Sequence, residues 1–360
     1  PYAGRNFPNT PLWGDTHLHT TLSFDAGAFG NRLGPEEAYR FARGEEITST
    51  GGYEVRLSRP LDFLVVADQS DNMGLFTMIF ESDPSILADS EGRRIHDMIQ
   101  AGGQTAVAAS VELIDTFSRG EEISDALSVE PGSRSFTSTW ERIVSAAEDY
   151  NDPGNFTAFI GYEWTSLVNT GDNLHRVVIY RDGADMALRH EPYTTMPPFG
   201  SPDPMDLWEW MEGVESASGG DVLALAHNGN MSNGIMFPVD RQYTGRRIDD
   251  DYVNARAKWE PLYEVTQIKG DGETHPYLSA DDEFADYETW AKGNLNLSVL
   301  KDDDMLQFEY ARAALRNGLA IEKKLGTNPY KFGMVGSTDS HTSLATAQED
   351  NFFGKHSGSE

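Results

Sequence analysis

Along this chain, short apolar runs alternate with longer stretches whose apolar residues recur at helical spacing. The run Leu61-Asp-Phe-Leu-Val-Val-Ala67, bounded by Pro60 and Asp68, reads as a strand buried on both faces. Further strands are expected at 12–19, 156–162, 175–180, 221–226, 261–268 and 332–336. A helix should open at Pro35-Glu36-Glu37, with proline in its first turn and acids at the positive end of the dipole. The stretch 71–150 reads as mostly helical, 205–214 as a short aromatic helix, and 281–292 and 305–324 as helices leading to the last strand. Residues 1–11 form an N-terminal arm and 342–360 a C-terminal loop or truncated extension. No repeat or clean linker interrupts the rest, so one domain over 1–360 is expected.

Strands alternating with helices argue for an α/β fold with a largely parallel sheet. His17/His19, Asp68, Glu163, His227, Lys269 and Asp339/His341 all fall where strands give out. Polar residues at the ends of many strands describe a barrel with its site on the C-terminal rim. A doubly wound sheet would gather them at one switch point instead.

Composition narrows the partners. Hydrophobic content of 39% suits a globular chain, and the apolar runs are far too short to span a bilayer. A net charge of −30 repels nucleic-acid backbones and anionic lipid, and its plain meaning is solubility, as in a salty habitat. Cysteine is absent, which excludes disulfides, thiolate metal sites and a cysteine nucleophile.

The chemistry centres on Gly14-Asp-Thr-His17-Leu-His19-Thr20. Residues two apart on a strand share a face, so His17 and His19 present their imidazoles side by side, half of a transition-metal site. Asp339-Ser-His341 repeats that spacing near the other end of the chain. Imidazoles mixed with carboxylates suit Zn, Mn or Fe(II) in a catalytic rather than a structural site.

Taken in order, His17-x-His19, Glu163 in Gly161-Tyr-Glu-Trp164, His175, His227 in Ala226-His-Asn228 and Asp339-x-His341 resemble the metal-ligand series of the PHP (polymerase and histidinol phosphatase) superfamily. Asn173-Leu-His-Arg176, Ala226-His-Asn-Gly-Asn230, Gln267-Ile-Lys-Gly270, Gly336-Ser-Thr-Asp-Ser-His341 and Asn351-Phe-Phe-Gly-Lys355 are similar to a bacterial branch catalogued as a domain of unknown function. The resemblance covers nearly the whole chain. It implies a distorted (β/α)7 TIM-type barrel with loop insertions, its last elements missing here or trimmed, holding two or three divalent metals. His17, His19 and Asp339 would hold the first metal, and Glu163 would bridge to a second completed by His175 and His227. His341 would serve a third, with Asp25 standing where the superfamily often has a histidine. Gln69 stands where the usual motif has its third-metal histidine, and an amide oxygen is a poorer ligand. Two metals are therefore expected ahead of three, with Asp68 as a further oxygen donor. Relatives often carry signal peptides, which implies a periplasmic or secreted protein, otherwise a cytoplasmic one.

Two metals would bring about four positive charges against three from Glu163, Asp339 and Asp25, leaving a pocket that attracts a small anionic substrate. The expected activity is a metal-dependent hydrolase, a phosphoesterase acting on small phosphorylated molecules through metal-bridged hydroxide near Glu163. Lys269 and Arg176 would clamp the anion, or else sit in salt bridges with Glu264, Asp172 or Glu273. His275 would be a general acid or a substrate contact, or a structural loop residue. Asn228 would hydrogen-bond substrate, although Asn beside Gly is first of all turn chemistry. Asp15 would orient an imidazole. His96, His190 and His356 read as solvated. The rivals are an amidohydrolase-type hydrolase of C–N or C–O bonds, and a metal-binding protein without turnover.

Overall fold

A computed structural model of the chain describes residues 10–119, 121, 123–346 and 348–357. Residues 1–9 of the expected N-terminal arm and 358–360 of the C-terminal extension lie outside them. Seven strands follow one another around a nearly closed barrel-like sheet: β1 (Gly14–Leu18), β2 (Phe63–Val66), β3 (Thr157–Trp164), β4 (Arg176–Tyr180), β5 (Val222–Ala226), β6 (Leu262–Gln267) and β7 (Gly333–Gly336). Each pairs with the next in chain order. Between β7 and β1 the seam is drawn shut by the loop beyond β7. There the Asp339 N–H donates to the His17 carbonyl at 2.8 Å, and the His19 N–H to the Ser340 carbonyl at 2.9 Å.

The sheet is not uniformly parallel, because β4 runs antiparallel to both β3 and β5. Only residues 165–175 separate β3 from β4, and they are spent on a hairpin pairing Leu167–Val168 with Asp172–Asn173. A parallel crossover takes about a dozen residues or more and usually a helix, so this interval can only turn the chain back. That reversal puts the start of β4, rather than its end, at the mouth where the other strands finish.

The pleat sorts side chains into two layers. Inside the barrel Val65, Ala67, Val177, Ile179 and Leu225 form a small apolar plug, with Phe159, Leu223, Leu262 and Val335 packed on it. Gly161 belongs to this layer, since a Cβ there would stand 2.6 Å from Val65 Cγ1 and 2.8 Å from the Val178 carbonyl oxygen. Outside, Leu64, Val66, Ile160, Tyr162, Val178 and Ala224 meet the helices in the main core. The principal helices are α1 (Pro35–Ala42), α2 (Ser90–Ala101), α3 (Gly103–Ser118), α4 (Arg134–Tyr150), α5 (Pro204–Ser218), α6 (Asp250–Trp259) and α7 (Ala311–Leu325). Trp140, Trp208 and Trp259 are the large anchors of that packing. No described helix is long and apolar enough to cross a membrane.

The helix expected at 281–292 does not form; that stretch is a series of turns. Its apolar residues Phe284, Tyr287 and Trp290 are exposed, so no face of it has a core to be fixed against. The expected helix at 305–324 is instead a 3-10 turn, Leu306–Phe308, followed by α7.

Candidate metal centre

Above the apolar plug the same inward positions turn polar. β1 contributes His17 and, just past its end, His19; β3 contributes Glu163 and β6 Glu264. His175 comes just before reversed β4 and His227 just after β5. Asp339 and His341 follow β7. All eight side chains are buried. Glu163 stands at the centre: its Oε1 is 2.8 Å from His227 Nε2, 3.0 Å from His175 Nδ1 and 3.5 Å from His17 Nε2, and its Oε2 is 3.8 Å from His19 Nε2. Asp339 Oδ1 lies 3.3 Å from His19 Nε2, 3.8 Å from His17 Nε2 and 3.5 Å from His341 Nδ1. Asp25 closes the far side, accepting from His341 Nε2 at 2.7 Å. Backbone strain accompanies these positions, since Asp339 (φ 52°) and Asn228 (φ 49°) both hold left-handed conformations.

The donor set fits divalent cations. Four overlapping groups each bring ligand atoms within 4.8 Å of one another: His17, His19 and Glu163; His17, His227 and Glu264; His19, Asp339 and His341; Glu163, His175 and His227. His17 Nδ1 donates to Glu264 (3.1 Å) and His19 Nδ1 bonds to Ser23 Oγ (2.8 Å), yet the two Nε2 atoms face each other 3.0 Å apart. Two lone pairs at that distance repel unless a cation or a proton lies between them. Burial opposes a charge on His17, but the Glu264 and Glu163 carboxylates outweigh it and raise its pKa to about 9. Burial holds His19 down to about 4 and, with His17 beside it, His227 down to about 3. His227 Nε2 finds no hydrogen bond despite its 2.8 Å approach to Glu163, and His175 Nε2 is likewise buried without one. Close but misaligned donors of this kind are what ligands converging on a shared ion present.

A family model described as "Protein of unknown function (DUF3604)" matches residues 6–360. The chain belongs to that family. No curated protein and no solved structure matches it.

Around the buried donors, this DUF3604 chain arranges a layer that positions them. Asp15 accepts the His17 N–H (2.9 Å) and the Thr338 hydroxyl (2.5 Å), so it ties β1 to the loop beyond β7 rather than orienting an imidazole. Asp68 is engaged by Thr20, with one oxygen accepting its N–H and the other its hydroxyl, both at 2.6 Å. Gln69 accepts the Asp25 N–H at 3.2 Å and so steadies the Asp25 loop. Asn228 accepts from Gln267 Nε2 (2.7 Å), whose amide also donates to Asp339 (2.5 Å), so its side-chain oxygen is engaged within the protein.

Two of the expected residues stand apart from the donor cluster. Arg176 is on the outer face of β4, 1% exposed, and is tied to Glu260 (Nε to Oε1, 3.0 Å); it cannot reach a substrate in the barrel mouth. His275 lies on the loop after β6 against Tyr310, ring centroids 5.7 Å apart, with Asp303 and Lys301 as its charged surroundings. That places it outside the donor cluster. Lys269 does join it, with Nζ on Asp339 Oδ2 rather than on Glu264, Asp172 or Glu273. Two further residues belong here that the sequence did not assign. Glu264 holds His17, and Lys355 Nζ sits 2.7 Å from Asp339 Oδ1. Their signals are the inward phase that Leu262 sets for β6 and the position of Lys355 in Asn351-Phe-Phe-Gly-Lys355. His356, expected in solvent, packs against His341 and Phe29, with ring centroids 5.0 and 4.6 Å apart. His96 likewise bonds Ser82 Oγ, at 2.9 Å.

Proposed function

We propose that this protein is a metal-dependent hydrolase of PHP type, with a two-ion centre built on His17, His19, Glu163, His175, His227 and Asp339 and acting as a phosphoesterase on small phosphorylated molecules. The observation that carries this reading is Glu163: one buried carboxylate within 3.8 Å of four imidazoles, which would hold the ions together with them. Bound divalent ions supply a water nucleophile at neutral pH and positive charge at the leaving oxygen. Glu264 fixes the His17 tautomer, and the Ser23 hydroxyl holds the His19 ring in place. Lys269 brings an ammonium group to the edge of the cluster, where it holds the anionic end of a substrate against Asp339. Asp25 and His341 pair with each other, and with Gln69 spent on the backbone they leave the third position the weakest of the three.

The test is metal analysis of the purified chain beside His17→Ala and Asp339→Ala, with a panel of phosphate monoesters, phosphodiesters, lactones and amides. Two equivalents of metal, lost in both variants together with phosphatase activity, are the expected result. Turnover confined to lactones or amides favours the amidohydrolase-type alternative. Full metal content without turnover of any ester leaves a binding protein.

A further inference from the structure

The tail that ends the described chain carries a lysine into the mouth that the reading above does not use. Phe353 packs on Phe41, ring centroids 6.5 Å apart, beside Leu344 and Val55. The His341 N–H donates to the Lys355 carbonyl at 2.8 Å. Anchored on both sides, Lys355 sets its ammonium 2.7 Å from Asp339 Oδ1 and 2.8 Å from His341 Nδ1, while Lys269 reaches Asp339 Oδ2. Two ammonium groups thus share one carboxylate; the three N–H groups of Lys355 are taken by the Asp339 carbonyl, Asp339 Oδ1 and His341 Nδ1, and two of them would be released to a ligand once Asp339 and His341 hold ions. The exposure of the two lysines sets them, with Asp25, apart from the rest of the cluster. The lysine side chains are 17% and 21% exposed and Asp25 25%, against 1% for Asp339, 2% for His341 and 3% for Glu163. They form the lip between the buried donors and solvent, where an arriving ligand meets them first.

Charge then selects the ligand. With the imidazoles neutral, the carboxylates of Asp25, Glu163, Glu264 and Asp339 outnumber the two lysines and leave the cluster two positive charges short of neutrality. Two divalent ions on neutral imidazoles turn that deficit into an excess of two positive charges, in a region where water screens poorly. A neutral ester leaves the excess unbalanced and a phosphodiester cancels half of it, whereas a dianion cancels it fully. Resting on the hydrolase reading, we propose that Lys269 and Lys355 form a two-lysine clamp for the dianionic phosphoryl group of a phosphate monoester. Each ammonium takes a phosphoryl oxygen, and charge-assisted hydrogen bonds of this kind favour the dianion over a monoanion.

The clamp is tested on the metal-replete full chain by calorimetric titration with methyl phosphate and dimethyl phosphate. Methyl phosphate should bind at least about tenfold tighter. Lys355→Met should weaken methyl phosphate by about tenfold or more and erase the preference, with metal content unchanged, and Lys355→Arg should restore part of it. In case Lys355→Met does not fold, methyl phosphate should protect Lys355 of the wild-type chain from acetylation, read by mass spectrometry. Wild-type affinity in metal-loaded Lys355→Met, no preference between the two phosphates, or no protection of Lys355 overturns the clamp. Lactone or amide turnover by metal-loaded protein that ignores methyl phosphate overturns the clamp and the phosphoesterase reading but leaves a metal-dependent hydrolase. A chain that holds no metal overturns the hydrolase reading and the clamp with it.

Discussion

Arg176 offers the sharpest test of how outer-face residues of the barrel should be read. Its guanidinium donates to Glu260 Oε1 at 3.0 Å; the same oxygen accepts from Trp208 Nε1 at 3.1 Å, and Oε2 pairs with Arg256 at 3.0 Å. These three charged side chains are 1–3% exposed, so water does little to screen them. Glu260→Gln keeps the shape, removes the negative charge between two buried guanidinium groups, and turns an NH2 towards one of them. Removing one partner of a buried pair costs about 3–5 kcal/mol, mostly through the charge left uncompensated. Unfolding entropy near the melting temperature is about 2.1 cal/mol/K per residue, or about 0.75 kcal/mol/K for this chain, so Tm should fall by about 4–7 °C. Pairing Glu260→Gln with Arg176→Met should recover part of that loss, because the pair is coupled and the two effects do not add. The assay is differential scanning calorimetry on all three variants, with metal content measured alongside and expected at the wild-type level. A Tm within about 1 °C of wild type, together with altered substrate affinity, would mean that Arg176 serves the substrate after all.

Four further outcomes follow from the same geometry. Glu264→Gln removes the carboxylate that fixes His17 and should weaken metal binding about 10–100-fold in competition with a chelator; unchanged affinity would remove Glu264 from the site. Leu225→Ala opens a hole in the apolar plug below the donors and should cost about 2–5 kcal/mol in denaturant unfolding, against almost nothing if the barrel interior were wet. Burial raises Asp68 to about 6 against the two Thr20 hydrogen bonds, so its protonated form is favoured on folding. Its contribution to stability is complete below the unfolded value of 3.8 and lost as pH rises through about 6. Asp68→Asn should therefore gain on wild type in Tm between pH 4 and pH 8, and parallel curves would contradict this. Metal at about 100 times its dissociation constant should add about 2.7 kcal/mol to unfolding, read as a Tm rise that a chelator reverses.

What the sequence disclosed depended on whether the signal was local. His17-x-His19 and Asp339-x-His341 are legible because a strand end followed by polar residues is a pattern over a few positions, and Asn228-Gly229 announces its own turn. The reversal of β4 runs against the largely parallel sheet that the strand–helix alternation suggests: an apolar run does not carry its direction, and only the shortness of 165–175 bears on it. Glu264 hides because a glutamate alternating with Tyr263 and Val265 reads as the solvent side of an ordinary strand; only the barrel turns that side inward. Arg176 beside His175 invites the opposite mistake, since neighbours on a strand face opposite ways. The segment 281–292 has aromatic residues at helical spacing but nothing to pack them on, so its pattern has no physical consequence. Lys355 depends on the tail folding back over the mouth, which no local rule encodes.

These residues also show why the candidate centre sits at the seam of the barrel. Among the described residues, β7 has no ladder to β1; closure passes through the Asp339 and His19 amides, the Asp15–Thr338 bond and the side chains of Asp339 against His17 and His19. The groups that would hold ions are therefore the groups that join the first strand to the last. An ion bound by His17, His19 and Asp339 ties together residues more than three hundred positions apart. Ordering the barrel mouth and loading the site then draw on one set of contacts, and binding free energy becomes folding free energy at that seam. This accounts for strain at Asp339: its left-handed backbone turns the carboxylate back over β1, a conformation the chain adopts where the closure and the donor set both depend on it.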